Sequence, residues 1–329
     1  MCKISFKSFL DKHISEDYST SEITHGANSQ VFLITTSNAC YVLKHYLPTS
    51  IDSDHKLKRE LSFLLYLSSI GCTQVPSHMA HCLKSKLLLM TYIPGEHVIQ
   101  PKSKDTRDAF MFIENINKAT QEVHLGPAKD AVSTLSDFAN LVNQRLIMLA
   151  NEEQLYPNYK KFIQDRVEVE FKRLLNENKE INWNTPLGSK VISPSDFGFH
   201  NMLLTDKEIF FYDFEYAGYD SVWKLVADFF SQPQIEVPIE HFSILIDMPI
   251  CSSIIENPNE FNIAFNLTRL KWCFIIGGNF LHQVRKRKEF ANSKIKFDPE
   301  QELVKLEQYL DSSLYRAKQL ENLIREIRN

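Results

Sequence analysis

The chain is 329 residues long, 43% hydrophobic and 24% charged, with a formal net charge of −4. Such a length supports two lobes with a sizeable core, and such a charge gives no general case for nucleic acid or a membrane surface as partner. The N-terminal segment MCKISFKSFLDKHISEDYS has no long apolar stretch behind its basic residues, which argues against a secretory signal, and no apolar run is long enough for a transmembrane helix.

From Ile23 the segment THGANSQ leads into a strand over 31–35. Turn residues Thr36, Ser37, Asn38 and Ala39 then return the chain as a strand over 40–46. In this second strand Val42, Lys44 and Tyr46 share one face and Tyr41, Leu43 and His45 the other, which sets Lys44 among apolar neighbours. The spacing predicts a helix over 53–68, with Leu57, Leu61, Leu64 and Leu65 on one stripe, Glu60 at its edge and Gly71 beyond its end. Strands over 79–83 and 87–93 flank a turn, and Pro94-Gly95 breaks the pattern. Residues 1–94 therefore read as a small lobe and 95–329 as a larger, mostly helical one.

In the second part, Ala109, Phe112, Ile113, Ile116, Ala119, Thr120 and Val123 mark a helix that stops near Gly126-Pro127. Further helices are expected over 136–150 and 158–177. The stretch VISPSDFGFHNMLLTDKEIFFYD, residues 191–213, reads as a strand, a tight polar loop, and a hairpin that ends on Asp213. Past Asp228 a Pro-punctuated segment leads to a helix over 262–276, apolar nearly all round and therefore buried. Pro299 opens a last helix whose Leu303, Leu306, Leu310, Leu314 and Leu320 have near-heptad spacing. That spacing suits a cap on the large lobe, with a dimer seam as the lesser alternative. The run Arg285-Lys286-Arg287-Lys288 reads as a solvated face, able to attract an anionic substrate but too short for a nucleic-acid site. Cys2, Cys40, Cys72, Cys82, Cys251 and Cys273 show neither Cys-x-x-Cys nor Cys/His metal spacing, so they read as reduced, mostly buried thiols of a cytoplasmic protein.

Asp196 followed by Asn201, with Asp213-Phe214 after the next hairpin, matches the catalytic and metal-binding elements of kinases. The chemistry needs these residue types. A carboxylate at Asp196 orients an attacking hydroxyl and accepts its proton, while Asn201 and Asp213 supply hard oxygen ligands for Mg²⁺ against phosphates. Asp and Asn are also favoured in ordinary turns, so a solvated bend is the lesser alternative for the loop taken alone. Lys44 on its strand and Glu60 on the following helix suit an ion pair that aims an ammonium at the α- and β-phosphates of a nucleotide. Singly, Lys44 would read as a hairpin residue and Glu60 as a helical partner of Lys56. The whole set, in this order and on these elements, points to nucleotide-dependent phosphoryl transfer.

In these motifs the chain resembles the aminoglycoside phosphotransferase and choline kinase family, the small-molecule branch of the protein-kinase-like fold, from about Ile23 to Phe230. The likeness rests on THGANSQVF as a nucleotide-covering hairpin, YVLK with Lys44, RELSFL with Glu60 and LLLMTYIPGE as the hinge. It rests also on SDFGFHNML with Asp196 and Asn201, and on FYDFEYAG with Asp213. Glu215 stands where protein kinases place the glycine of Asp-Phe-Gly, an acidic residue being common there in this family, and no Ala-Pro-Glu element follows. The resemblance thus points away from a protein kinase.

It implies an α+β fold of two lobes: a small N-terminal lobe with an antiparallel sheet and one helix, and a larger, mostly helical C-terminal lobe. It also implies Mg²⁺, ATP or GTP as donor, and a small hydroxyl-bearing acceptor. Asp196 would be the catalytic base, Asn201 and Asp213 the metal ligands, and backbone groups of Met90, Thr91 and Tyr92 the contacts to adenine. The family's acceptors span aminoglycosides, choline and ethanolamine, amino acids and sugars. The Ser-Asp-Phe-Gly-x-His-Asn loop resembles members associated with bacterial surface-polysaccharide synthesis, which favours a sugar or saccharide.

Several positions depart from the family pattern. Pro194 stands where a histidine usually precedes the base, and Lys224 where an acid is usual, with Asp228 following later. Thr91 replaces a common glutamate at the hinge. The nucleotide loop holds only Gly26, so its backbone N–H groups and the Ser29 hydroxyl would have to cradle the phosphates. A non-catalytic nucleotide-binding module of the same fold is the alternative that these departures leave open.

Overall fold

Alternating side chains in the first hundred residues give a sheet with two differently covered faces. The computed structural model of the chain describes residues 6–23, 29–46, 51–118, 124–152, 154–291 and 296–328. Strands β1 (Ser19–Ile23), β2 (Ser29–Thr35), β3 (Cys40–Tyr46), β4 (His78–Cys82) and β5 (Leu87–Thr91) pair in the order β1-β2-β3-β5-β4, antiparallel throughout. Helix α1 (Phe6–His13) covers the outer face, where Phe9 and Leu10 pack with Ile34, Leu43 and Leu89. Helix α2 (Ile51–Ser69) covers the other face, against Tyr46, Leu88 and Met90. Lys44 therefore points toward α2 and Leu43 away from it, as the period of two requires.

The C-terminal part is mostly helical. A small sheet of β6 (Glu96–His97), β8 (Met202–Leu204) and β9 (Ile209–Phe211) and a pair made by β7 (Lys190–Ser193) and β10 (Gly218–Ser221) carry the loop between them. Around these lie α3 (Ser103–Lys118) and α4 (Leu135–Ala150), the latter opened by a reciprocal cap between Thr134 and Asp137. One helix is expected over 158–177. Instead α5 (Pro157–Phe162) runs through a π-turn at Ile163–Val167 into α6 (Glu168–Glu177). Next come α7 (Val222–Ser231), α8 (Ser252–Glu256), α9 (Pro258–Ile276), α10 (His282–Ala291) and α11 (Pro299–Arg328).

Helix α9 is buried on nearly every side, between α4, α7 and α11. Leu306, Leu310, Leu320 and Ile324 of α11 are part of that same core. The core is continuous between the two parts: α2 contributes Leu57, Phe63 and Leu67 to the cluster that holds the C-terminal helices, and Phe63 lies 4.9 Å from Phe214. Among the described residues no helix is long and apolar enough to cross a membrane. Cys251 and Cys273 are buried, whereas Cys40, Cys72 and Cys82 are only half-buried. Gly26, Ala119, Thr120, Val123 and Cys2 lie outside the described residues.

Candidate active site

The 191–213 stretch forms its loop because alternate residues face opposite ways. Phe197 and Phe199 are buried under it, packed on Phe229, with Phe110 and Phe211 also against Phe197. Asp196 and His200, between and beside these anchors, face a cavity of about 2060 Å³. The same cavity is lined by Ser29, Lys44, Glu60, Asn201 and Asp213 and, at the hinge, by Met90, Thr91 and Tyr92. Every site residue expected from the sequence, Gly26 excepted, thus faces one space.

Lys44 Nζ donates to Glu60 Oε1 at 2.8 Å, to Glu60 Oε2 at 3.0 Å and to Asp213 Oδ1 at 2.8 Å. Burial works against the ammonium charge, yet Asp213 and then Glu60 outweigh it and hold Lys44 well above its ordinary pKa. Burial likewise works against the Asp213 carboxylate, and Lys44 holds that group below its usual range. Tyr46 donates its hydroxyl to Glu60, so the brace is fixed from a second side. Lys56 does not pair with Glu60; it reaches across to Glu215 at 3.2 Å. Burial, and next the nearby Asp213 charge, push Glu215 up to about 7 against the pull of Lys56.

The loop that carries Asp196 is held by bonds that the sequence did not reveal. Asp196 N–H donates to Pro194 O at 2.9 Å, closing a three-residue turn around Ser195, whose φ is 67°. Ser195 is pinned by its N–H to Ser193 Oγ at 3.0 Å and by Lys224 Nζ to its Oγ at 3.2 Å. Lys224 in turn lies 2.9 Å from Asp220 and 3.4 Å from Asp228. The residue that breaks the family's acidic pattern therefore supports the loop that lacks the family's histidine.

His200 Nε2 lies 3.2 Å from Asp196 Oδ1, and the Gln232 amide nitrogen lies 2.8 Å from His200 Nδ1. The same amide nitrogen lies 3.2 Å from His200 Nε2, so Gln232, His200 and Asp196 form one polar chain in which the roles of the ring nitrogens follow the tautomer. The spacing of Asp196 and His200 was the available sign of this contact; Gln232 gave none. Asn201 donates its amide to Asp196 O at 2.9 Å.

At the hinge, Thr91 N–H is bonded to Ser77 O at 3.0 Å and Tyr92 N–H to Cys40 O at 3.2 Å. Ile93, not singled out from sequence, lines the cavity beside them.

The geometry has counterparts among solved structures. Spectinomycin phosphotransferase APH(9)-Ia, in complex with ADP and spectinomycin, superposes with a TM-score of 0.57 at 12% identity, over 95% of this chain and 96% of that one. Choline kinase LicA from Streptococcus pneumoniae gives 0.56 at 14%, over 95% and 98%. An ethanolamine kinase from Plasmodium vivax gives 0.55 at 13%, over 93% and 84%. No curated protein matches the sequence. At such identities these structures speak for the fold, the two-lobed kinase-like arrangement. The APH family, described as the phosphotransferase enzyme family, matches residues 19–232, about two thirds of the sequence, a span that includes Lys44, Glu60, Asp196, Asn201 and Asp213; the chain belongs to that family.

Proposed function

We propose that this phosphotransferase moves the γ-phosphate of ATP or GTP to a hydroxyl of a small molecule, a sugar or saccharide in preference. Residues 1–94 would hold the donor and residues 95–329 the acceptor. The observation that carries this reading is the placing of Glu60 and Asp213 each within 3.0 Å of Lys44 Nζ, on a cavity that also opens onto Asp196 and Asn201. Lys44, braced by Glu60, neutralises donor phosphates, and Ser29 with the Gly26 loop covers them. The hinge from Met90 through Thr91 to Tyr92 takes the base.

Among the described residues no three His, Cys, Asp or Glu side chains form a resident metal cage. Asn201 uses its amide N–H on Asp196 O, and Asp213 has one oxygen on Lys44. The amide and carboxylate oxygens that remain are hard donors, few in number, which fits Mg²⁺ carried in with substrate phosphates. When bound, the ion supplies positive charge against the phosphate oxygens.

In the reaction the acceptor oxygen attacks the γ-phosphorus. The bond from that phosphorus to the bridging oxygen breaks, its electrons leave with the nucleoside diphosphate, and the hydroxyl proton passes to Asp196. His200 keeps the Asp196 carboxylate turned toward the acceptor. The test is Asp196→Asn, with nucleotide binding followed by calorimetry and transfer of labelled γ-phosphate followed over a panel of sugars, amino alcohols and aminoglycosides. Transfer is expected to fall by at least about 10²-fold while nucleotide affinity stays nearly unchanged. Binding without transfer by the unaltered protein, across the panel and with several metals, would leave only a nucleotide-binding module.

A further inference from the structure

Beyond Asp196 the cavity continues between α4, α7, α9 and α10, and the character of its wall changes. Facing it there are Lys129, Arg145, Lys224, Lys271, Lys286 and Lys288. The carboxylates on the same wall are Asp130, Glu152 and Asp228. Around the donor phosphates the balance is the reverse, with Lys44 set among Glu60, Asp213 and Glu215.

The cations of the deep wall are built in. Lys271 and Lys224 are both buried, and both turn to the one carboxylate of Asp228, at 2.5 Å and 3.4 Å. Trp272 Nε1 donates at 2.8 Å to Asp228 Oδ1, the oxygen that Lys271 holds, while Lys224 faces Oδ2. Asp220, the second partner of Lys224, is buried beneath and accepts from the N–H groups of Val132 and Ser221; it is not on the cavity surface. Arg145 lies 2.5 Å from Asp130. Burial lowers the Lys271 pKa, and Asp228 restores it only in part because Lys224 and Arg145 add their repulsion. On the rim, Lys129 and Lys286 are exposed and make no direct ion pair among the described residues.

Asp220, Asp228 and Asp130 match Lys224, Lys271 and Arg145 one for one. The excess positive charge therefore lies on the open side, where Lys129 and Lys286 outnumber the carboxylate of Glu152, and an anion entering from that side balances it. A cationic ligand meets the opposite situation. The ring of Trp272, an aromatic face suited to a quaternary ammonium, already has Lys271 Nζ at 5.8 Å from its centroid. We propose that the acceptor carries an anionic group, a carboxylate or a phosphate, beside the hydroxyl that is phosphorylated. The group is held by the cluster around Lys271 and Arg145, with Lys129 and Lys286 at its rim. This inference rests on the phosphotransferase reading of the cleft and deepens it to a class of acceptor.

A competing use of these cations is the donor triphosphate. Helix α10, which carries Lys286, approaches the N-terminal sheet, with Phe290 5.8 Å from His45. The experiment separates the two uses. The full chain is saturated with Mg²⁺ and a non-hydrolysable ATP analogue, then titrated calorimetrically with glucose, glucuronate, glucose 6-phosphate and glucosamine. Glucuronate or glucose 6-phosphate is expected to bind at least about 10-fold more tightly than glucose, with glucosamine weakest, and the two acids distinguish carboxylate from phosphate. Lys129→Ala, an exposed change that leaves the backbone bonds of the loop in place, is expected to cut that preference several-fold without altering affinity for the analogue. Glucose or glucosamine binding as well as the acids, or none of the four binding, overturns the proposal. So does a loss of analogue affinity, in place of acid affinity, in Lys129→Ala and Lys286→Ala. Preference for the acids without transfer of γ-phosphate to them upholds the anion subsite and counts against the transfer reading instead.

Discussion

Both turns that set the carboxylates of the cleft use backbone in the left-handed region at residues other than glycine: Ser195 at φ 67° and Asp213 at φ 65°. Such a conformation costs on the order of 1–3 kcal/mol and persists only where its surroundings hold it. At Asp213 the hold is Lys44; at Ser195 it is Ser193, Lys224 and the Lys129 carbonyl. Asparagine adopts this region more readily than most residues, so Asp213→Asn should keep the fold while removing the carboxylate proposed to hold Mg²⁺. Its melting temperature is expected to stay close to that of the parent. Its Mg²⁺-dependent nucleotide affinity, read by calorimetry with and without the metal, is expected to fall at least about 10-fold. Gly198 gives a second test. A Cβ there would lie 2.8 Å from His200 Nδ1 and 2.9 Å from Gln232 Cγ, so Gly198→Ala must displace the imidazole that steadies Asp196. Turnover should drop by about 10-fold with nucleotide affinity retained, as suits a group that only positions the base. Unchanged turnover would remove His200 from that role.

The pairing of β3 with α2 carries the next expectation. Lys44→Met leaves Glu60 and Asp213 without their shared cation, a loss on the scale of about 3–5 kcal/mol for a broken buried pair. Glu60→Gln keeps Lys44 on Asp213 and should be milder in both stability and turnover. Denaturant unfolding together with the rate of nucleotide turnover checks the order, and equal effects would contradict it. Much of this was legible in the sequence. The alternation in β3 put Lys44 and Leu43 on opposite faces, and the strands and helices that carry the site follow from apolar spacing. Helix α1 and strand β1 were harder to read: α1 has the apolar stripe Phe6, Phe9 and Leu10 but spans only eight residues, and β1, Ser19–Ile23, is polar and mostly exposed, with no alternation. The π-turn within α5–α6 also left no mark in an unbroken helical pattern. Lys224 stood out only as a departure. Its partners Asp220 and Asp228 sit one helical turn to either side, a spacing that was visible, but Lys271 is remote in sequence and only the packing of α9 against α7 brings it near.

For the molecule as a whole, the continuous core predicts how it unfolds. Because α2 and the helices of the C-terminal part share one apolar cluster, heating should give a single calorimetric transition for both. Two resolved transitions, with one removed by nucleotide, would show instead that the sheet and its helix melt alone. Further ties cross the same junction: Gln74 bonds to Ile209 and Phe211, and Lys56 reaches Glu215. This continuity limits how the chain can be recombined. A cut at the hinge would leave α2 its sheet but take Phe214 from Phe63, Ile116 from Tyr66 and Glu215 from Lys56, so the N-terminal part is not a cassette that can be transplanted. If the helical wall holds the acceptor, as proposed, a new preference arises there by side chains changing one at a time and not through exchange of one half for another.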